Sequence, residues 1–423
     1  MNMKKPELLA PAGDFEKLQM AIAYGADAVY VGGKQFSLRA NAKNFDVDEL
    51  RSAIAYAHSH NIKVYVSVNI FANNQDFHGL KDYLQTLQEI GADAVIVADL
   101  GVLAVARQIS GLEIHISTQA NITNYQSAEL YKSLGASRVI LARELSLGEI
   151  TEITLRTTKA NLQAHACILP AYPSENTLPF ETEVFIHGAM CMSYSGRCLL
   201  SNYMAERDAN KGDCAQPCRW NYYLTEELRP GEHIPIYEDG HGTYIMNSKD
   251  LCMIQHIPEL VATGVSSFKI EGRMKTAYYV AAVTRAYREA IDDFFTCPSL
   301  YESKKDYYMR EIEKTGNRSF YTGFYFGRPA SGQNLTNTIY NNTQDFLGVV
   351  QSHDPTTGLT LIQQRNKFEI GEEVEFLKSG HKQTITEIYD ESNVPIITAP
   401  HPKQLLHIKT SIPLKKRDIM RRA

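Results

Sequence analysis

Eight short apolar runs recur along the first 273 residues, and amphipathic segments separate them. They are ELLAPAG (7–13), DAVYVGG (27–33), IKVYVSVN (62–69), ADAVIVADL (92–100), LEIHISTQ (112–119), SRVILAR (137–143), TEVFIHGA (182–189) and SSFKIEGR (266–273). Runs this short, alternating with helical patterns such as FEKLQMAIAYGA (15–26) and DELRSAIAYAHSH (48–60), read as strands of βα units. Several helical segments end in glycine, at Gly25 and in YLQTLQEIG, VARQISG and AELYKSLG, where a helix C-terminus favours a left-handed residue. Eight βα units close into a ring, so the predicted fold is α/β, a parallel (β/α)8 TIM-like barrel.

Polar residues stand where these strands end: Asn69, Asp99, Gln119, Arg143, His187, Glu271 and Arg273. In a barrel those ends converge on one face, where active sites are built. The barrel is read over residues 1–294, with a long Cys-rich insertion at about 189–265 that holds Trp220 and a hairpin signal at WNYYLTEEL. A long insertion on a catalytic face is usually functional. Residues 295–340 read as helix then linker. From 341 to 423, short alternating strands and the turn DPTTG predict a small antiparallel β-barrel. Its tail, LKKRDIMRRA, has five cations against one anion and is a candidate grip for phosphates.

The net charge of −5 excludes nucleic-acid binding by the chain as a whole, leaving a local basic surface. No apolar run reaches the roughly 18 residues of a membrane span, and no signal-peptide pattern precedes the first strand, so a cytoplasmic protein is expected. In that reducing compartment the seven cysteines are not expected to form disulfides. Five are clustered, as Cys191-x6-Cys198-x15-Cys214-x3-Cys218 and then Cys252, which favours a metal. Structural zinc would more often show a Cys-x2-Cys pair, and none is present. A Cys-x3-Cys-x2-Cys radical site fails because Asn221 stands at the third position. Iron–sulfur clusters take thiolates, commonly four. Cys167 and Cys297 read as incidental thiols.

The segment EVFIHGAMCMSYSGRCLLS (183–201), with GDCAQPCRW (212–220), NSKDLC (247–252) and KIEGRMK (269–275), resembles the signature of the peptidase U32, or collagenase-like, family. The likeness opens at LLAPAGDFEKL and reaches the C-terminal β-domain, and the architecture looks like the family's tRNA hydroxylation subgroup. The resemblance implies a [4Fe–4S] cluster on Cys191, Cys198, Cys214 and Cys252, with Cys218 in reserve and zinc as the alternative metal. It implies hydroxylation of the wobble uridine of tRNA to 5-hydroxyuridine without molecular oxygen, with prephenate as the co-substrate linked to the oxygen donor. That dicarboxylate would suit arginines such as Arg143, Arg197 and Arg273. His187, Arg197, Glu271 and Arg273 are the catalytic candidates. Glu183 is expected to pair with a cation such as Arg273, and Tyr194 and Ser201 to pack the cysteine loop. Two other readings are a metal or thiol peptidase, as the family name suggests, and a non-catalytic partner of a second U32-family subunit. The peptidase lacks a G-x-S-x-G or H-E-x-x-H motif.

Overall fold

A computed structural model describes residues 4–37, 43–159, 179–191, 193–198, 200–220, 223–224, 234–235, 249–329 and 345–423. Seven strands open the chain: β1 (Glu7–Pro11), β2 (Ala28–Gly32), β3 (Lys63–Val68), β4 (Ala94–Val97), β5 (Glu113–Ile116), β6 (Arg138–Ile140) and β7 (Glu181–Ala189). The short hairpin pair β8 (Tyr223–Leu224) and β9 (Ile234–Pro235) lies in the insertion, followed by β10 (Asp250–Cys252) and β11 (Ser267–Ile270). Strands β1 to β7 pair in parallel in chain order, and β11 closes the ring by pairing in parallel with both β7 and β1. All eight runs picked out in the sequence are therefore the eight barrel strands, with ends trimmed by a few residues. The hairpin signal near Trp220 is described only as the β8–β9 pairing, and Cys167 lies outside the described residues.

The helices follow the same logic: α1 (Phe15–Ala23) and α2 (Val47–His58) are succeeded by α3 (Leu80–Glu89), α4 (Leu100–Ala106), α5 (Tyr125–Ser133), α6 (Leu147–Lys159), α7 (Leu200–Ala205) and α8 (Ile257–Ala262). Asp14 caps α1 by accepting from the Lys17 amide, and Asp46 with Glu49 forms a capping box on α2. Gly25 and Gly135, at φ 98° and 94°, supply the left-handed turns that end the helical segments before β2 and β6. The last barrel helix, α9 (Ala277–Thr296), runs into α10 (Pro298–Glu313), whose Tyr301, Tyr308 and Ile312 are fully buried in the barrel's own core. Phe320–Tyr321 then pairs with β10. Of residues 295–340, read as helix and linker, the stretch 295–321 packs with the barrel because α10 buries an apolar face there.

The C-terminal unit is an eight-stranded antiparallel sheet curled around its own core, which includes Leu347, Ile362, Phe376 and Leu406. Its end strands, His381–Thr384 and Pro395–Ile396, are not paired with each other, so the small barrel is open. Part of the tail's charge is taken up inside the protein. Ile419–Arg422 is an internal strand, and Arg421 is fully buried between Glu311 of α10 and Glu375. Arg422 is paired with Asp345 and Glu372. Tyr24 and Tyr278 of the barrel pack with Val349, Leu377 and Ile419. Among the described residues no helix is long and apolar enough to cross a membrane.

Inside the barrel, the N-terminal half is filled by charge. Arg138 donates to Glu7 at 2.7 Å, to Glu181 and to Glu183 at 3.0 Å, while Lys269 donates to the other oxygen of Glu183 at 3.0 Å. Glu183 therefore pairs with Arg138 and Lys269 rather than with Arg273, because its position on β7 places it deep in the ring. Burial alone would raise its pKa from 4.5, but the Lys269 and Arg138 charges outweigh it and hold the carboxyl at about 2. A carboxyl held low adds stability that is complete above the unfolded value and is lost as pH falls toward the folded one. Wild-type stability is expected to fall between pH 4.5 and 2. Glu183→Gln is expected to cost about 3–5 kcal/mol at neutral pH and to flatten that acid limb, measured by urea unfolding across the pH series.

Candidate active site

The C-terminal ends of the strands open into a cavity of about 390 Å³. Five of the seven strand-end residues line it: Asn69, Gln119, Arg143, Glu271 and Arg273. The other two do not. Asp99 accepts from the Gly101 and Val102 amides as the N-cap of α4 (Leu100–Ala106). His187 is 1 % exposed and faces the helix layer, with its ring among Tyr279, Tyr287 and Phe320.

A β-bulge turns His187 away. Phe185 pairs with Lys269, but the next residue of β11, Ile270, pairs with His187, so one extra residue of β7 breaks the alternation. Phe185 lines the cavity, and His187 lands on the outer side. Burial, and then the charge of Lys275, push its pKa down to about 3, so at neutral pH the imidazole is uncharged. The structure thus places His187, a catalytic candidate from the sequence, in the barrel wall and off the cavity lining.

The cations of the cavity come mainly from one strand end. Lys269 lines it from β11, and Glu271, Arg273 and Lys275 line it from the turn that follows, together with Gly272 and Met274. Lys269 lies over the Tyr30 ring at 4.5 Å, and Arg273 donates to Ser37 at 3.0 Å. Arg143 stacks on Phe185 at 4.2 Å and donates to the Ala189 carbonyl at 2.9 Å. Glu271 is the one carboxylate among the described lining residues and accepts from the Tyr30 hydroxyl at 3.2 Å, while Lys269 is paired with Glu183 and the Lys275 ammonium lies 3.9 Å from Asp250 and donates to the Gly316 carbonyl. Two glycines make this packing possible. A Cβ on Gly32 would sit 1.8 Å from the Arg273 Nη1, and one on Gly188, at φ 109°, 2.4 Å from the Glu271 carbonyl. Lys269 and Lys275 were not singled out from the sequence, although both stand in the segment KIEGRMK with Glu271 and Arg273.

The insertion roofs the cavity with cysteines. Cys191, Cys198, Cys214 and Cys218 all line it. The Cys198 sulfur accepts the Leu200 amide and the Cys214 sulfur accepts the Gln216 amide, each at 3.3 Å. Asn210 holds the Cys198 backbone by two hydrogen bonds, and Ser201 accepts from the Ala215 amide. Glu144 clamps the loop through the Ser195 amide and hydroxyl, both at 2.6 Å. Cys252 is not on the cavity lining. It is buried on β10, 3.8 Å from the Tyr287 hydroxyl, and desolvation pushes its thiol up to about 12. Cys297 is exposed between α9 and α10. Arg197 is exposed and off the lining: its Nε donates to the Gln119 carbonyl at 2.9 Å and its guanidinium covers Phe71, so it ties the cysteine loop to the end of β5. Tyr194 is exposed rather than packed.

Glu144→Ala removes both acceptors of Ser195. Amide exchange at residues 193–198 is expected to quicken by roughly 10- to 100-fold, the equivalent of about 1–3 kcal/mol, while barrel amides stay protected. Hydrogen-exchange mass spectrometry checks it.

Two family models cover almost all of the chain: peptidase family U32 matches residues 13–335, and the peptidase family U32 C-terminal domain matches residues 342–421. The tRNA hydroxylation protein P1 of Bacillus subtilis (strain 168) is 38% identical, over 99% of this chain and 95% of its own length. The tRNA hydroxylation protein P of Escherichia coli (strain K12) is 36% identical over 89% of this chain and 86% of its own. A Porphyromonas gingivalis (strain ATCC BAA-308 / W83) protein named collagenase is 33% identical over 78% of this chain and 75% of its own. With models matched along its length and relatives aligned nearly end to end, the chain belongs to peptidase family U32.

Proposed function

We propose that this chain is an RNA-modifying hydroxylase that forms 5-hydroxyuridine at the wobble position of tRNA, with an iron–sulfur cluster and a prephenate-linked oxygen source. The reading draws on the relatives named tRNA hydroxylation proteins. It is carried by one observation: four cysteines and four cations line the same cavity.

The donor set suits a [4Fe–4S] cluster better than zinc. Four cysteines line one cavity, which matches the four thiolates such clusters commonly take, and none of them forms the Cys-x2-Cys pair usual for structural zinc. Amide hydrogen bonds to the sulfurs of Cys198 and Cys214 are also a feature that tunes such clusters. Cys191, Cys198 and Cys214 supply three thiolates, and the fourth comes from Cys218 on the same wall or from Cys252 on β10. When bound, the cluster supplies electron transfer and Lewis acidity.

The chain's own residues do the rest. Arg143 and Arg273 bind the carboxylates of the donor, and Lys269, held by Glu183, fixes a further positive charge beneath them. Glu271, hydrogen-bonded by Tyr30, is placed to accept a proton released at the reacting carbon. The insertion covers the site against water. A peptidase would need a nucleophile beside a base, whereas no histidine is among the described lining residues and the Ser195 hydroxyl is held by Glu144.

Anaerobic purification is expected to yield iron and acid-labile sulfide in equal amounts. Cys191→Ala, Cys198→Ala and Cys214→Ala should each lose the iron, and 5-hydroxyuridine should vanish from the tRNA of a deletion strain carrying them. Of Cys218→Ser and Cys252→Ser, the variant that keeps its iron names the cysteine that is not a ligand. An iron-free wild type that still restores the nucleoside would end the cluster reading. Restoration only when a second family member is co-expressed would instead make this chain one half of a hetero-oligomer.

Gly32→Ala drives its new methyl into the Arg273 guanidinium. It is expected to keep the fold and the iron while lowering product formation by roughly 10- to 100-fold, as the loss of one charged hydrogen-bonding group would. Circular dichroism and nucleoside mass spectrometry together check it.

A further inference from the structure

The cavity has two chemically different sides. Its cations come from the ends of β6 and β11, through Arg143, Lys269, Arg273 and Lys275. The ends of β3 and β5 contribute only neutral groups, Ser67, Asn69, Ser117 and Gln119, and Ile96 and Ile140 supply apolar surface from β4 and β6. An anionic co-substrate gains most from the cationic side. The neutral side suits a flat, uncharged ring that carries hydrogen-bonding edges.

On that side Gln119 is held in one orientation. Its Oε1 accepts from Asn69 Nδ2 at 2.7 Å and from the Ser117 hydroxyl at 3.0 Å. With the carboxamide oxygen occupied by two donors, the Nε2 end is directed away from them, and Gln119 lines the cavity. Its backbone is fixed as well, since its carbonyl accepts from Arg197 of the cysteine loop at 2.9 Å. A preorganised N–H donor on a neutral wall discriminates between pyrimidines: uracil offers an O4 acceptor where cytosine offers an N4 amine.

We infer that the neutral side of the cavity receives an unstacked pyrimidine of the RNA substrate, and that Gln119 is the specificity-determining residue that donates to O4 of uracil. Asn69 and Ser117 are its positioning residues. The inference rests on the tRNA-hydroxylase reading and adds to it the face of the cavity and the side chain that choose the base. Glutamate at the same position keeps the acceptor for Asn69 and Ser117 but turns the cavity-facing end into an acceptor, which suits the amine of cytosine.

The test uses the full-length, anaerobically purified protein and two RNA anticodon stem-loops that differ only in uridine or cytidine at the target position. Wild type should bind the uridine loop roughly tenfold more tightly. Gln119→Glu should reverse the preference, and Gln119→Met, which keeps the length without the amide, should abolish it. All three proteins should hold the same iron. A wild type without preference, or variants that weaken both loops equally, would overturn the assignment. Nucleoside analysis of a complemented deletion strain separates the two levels. If wild type fails to restore hydroxylated uridine, the hydroxylase reading fails; if wild type and Gln119→Glu restore it equally, only the role of Gln119 fails.

Discussion

Glu183 is the constraint on which the working half of the molecule depends. It sits at the centre of the barrel with no exposed surface, one oxygen on Arg138 and the other on Lys269. Arg138 has Glu7 and Glu181 as well, but Lys269 could not be left there alone, because an unpaired charge in a packed interior costs several kcal/mol. The carboxylate joins the charged plug at the N-terminal end, formed with Glu7, Tyr65 and Glu181, to the floor of the cavity, where Lys269 surfaces. One ion network thus fills the barrel and fixes the position of a functional charge.

The same two strands decide what reaches the cavity. The bulge in β7 keeps Phe185 inside as the platform for Arg143 and sends His187 to the helices. Beyond the bulge, the lack of a side chain at Gly188 lets the Glu271 backbone approach, and Gly32 leaves room for Arg273. Close approach of backbone to a charged side chain is what glycine permits and any other residue would obstruct. The cysteine loop is then tied to this frame from outside, by Glu144 to Ser195 and by Arg197 to the Gln119 carbonyl.

The C-terminal sheet is bolted rather than tethered. Arg421, fully buried, joins Glu311 of the barrel unit to Glu375 of the sheet, and the Ile419 amide donates to the Tyr24 hydroxyl. Arg421 and Arg422, which the sequence offered to a polyanion, are spent on Glu311, Glu375, Asp345 and Glu372, and of the tail's five cations Lys415 and Lys416 are exposed. Any contact this sheet makes with RNA has to come from its outer surface.

The sequence alone determined the barrel, because the spacing of eight apolar runs and the glycines after helices are local signals that need no tertiary information. It also determined that Asn69, Gln119, Arg143, Glu271 and Arg273 meet, since strand ends converge once the ring closes. The direction of His187 was not legible, because a bulge depends on how β7 registers against a strand some eighty residues later. The division of the cysteines was equally hidden: the resemblance put Cys252 among the ligands and Cys218 in reserve, while the fold puts Cys218 on the cavity and Cys252 on a strand paired antiparallel to β7 in the core. Pairing partners for Glu183 and Arg421 followed the same rule. Local pattern fixes which element a residue occupies, but long-range register and packing fix which neighbour neutralises its charge.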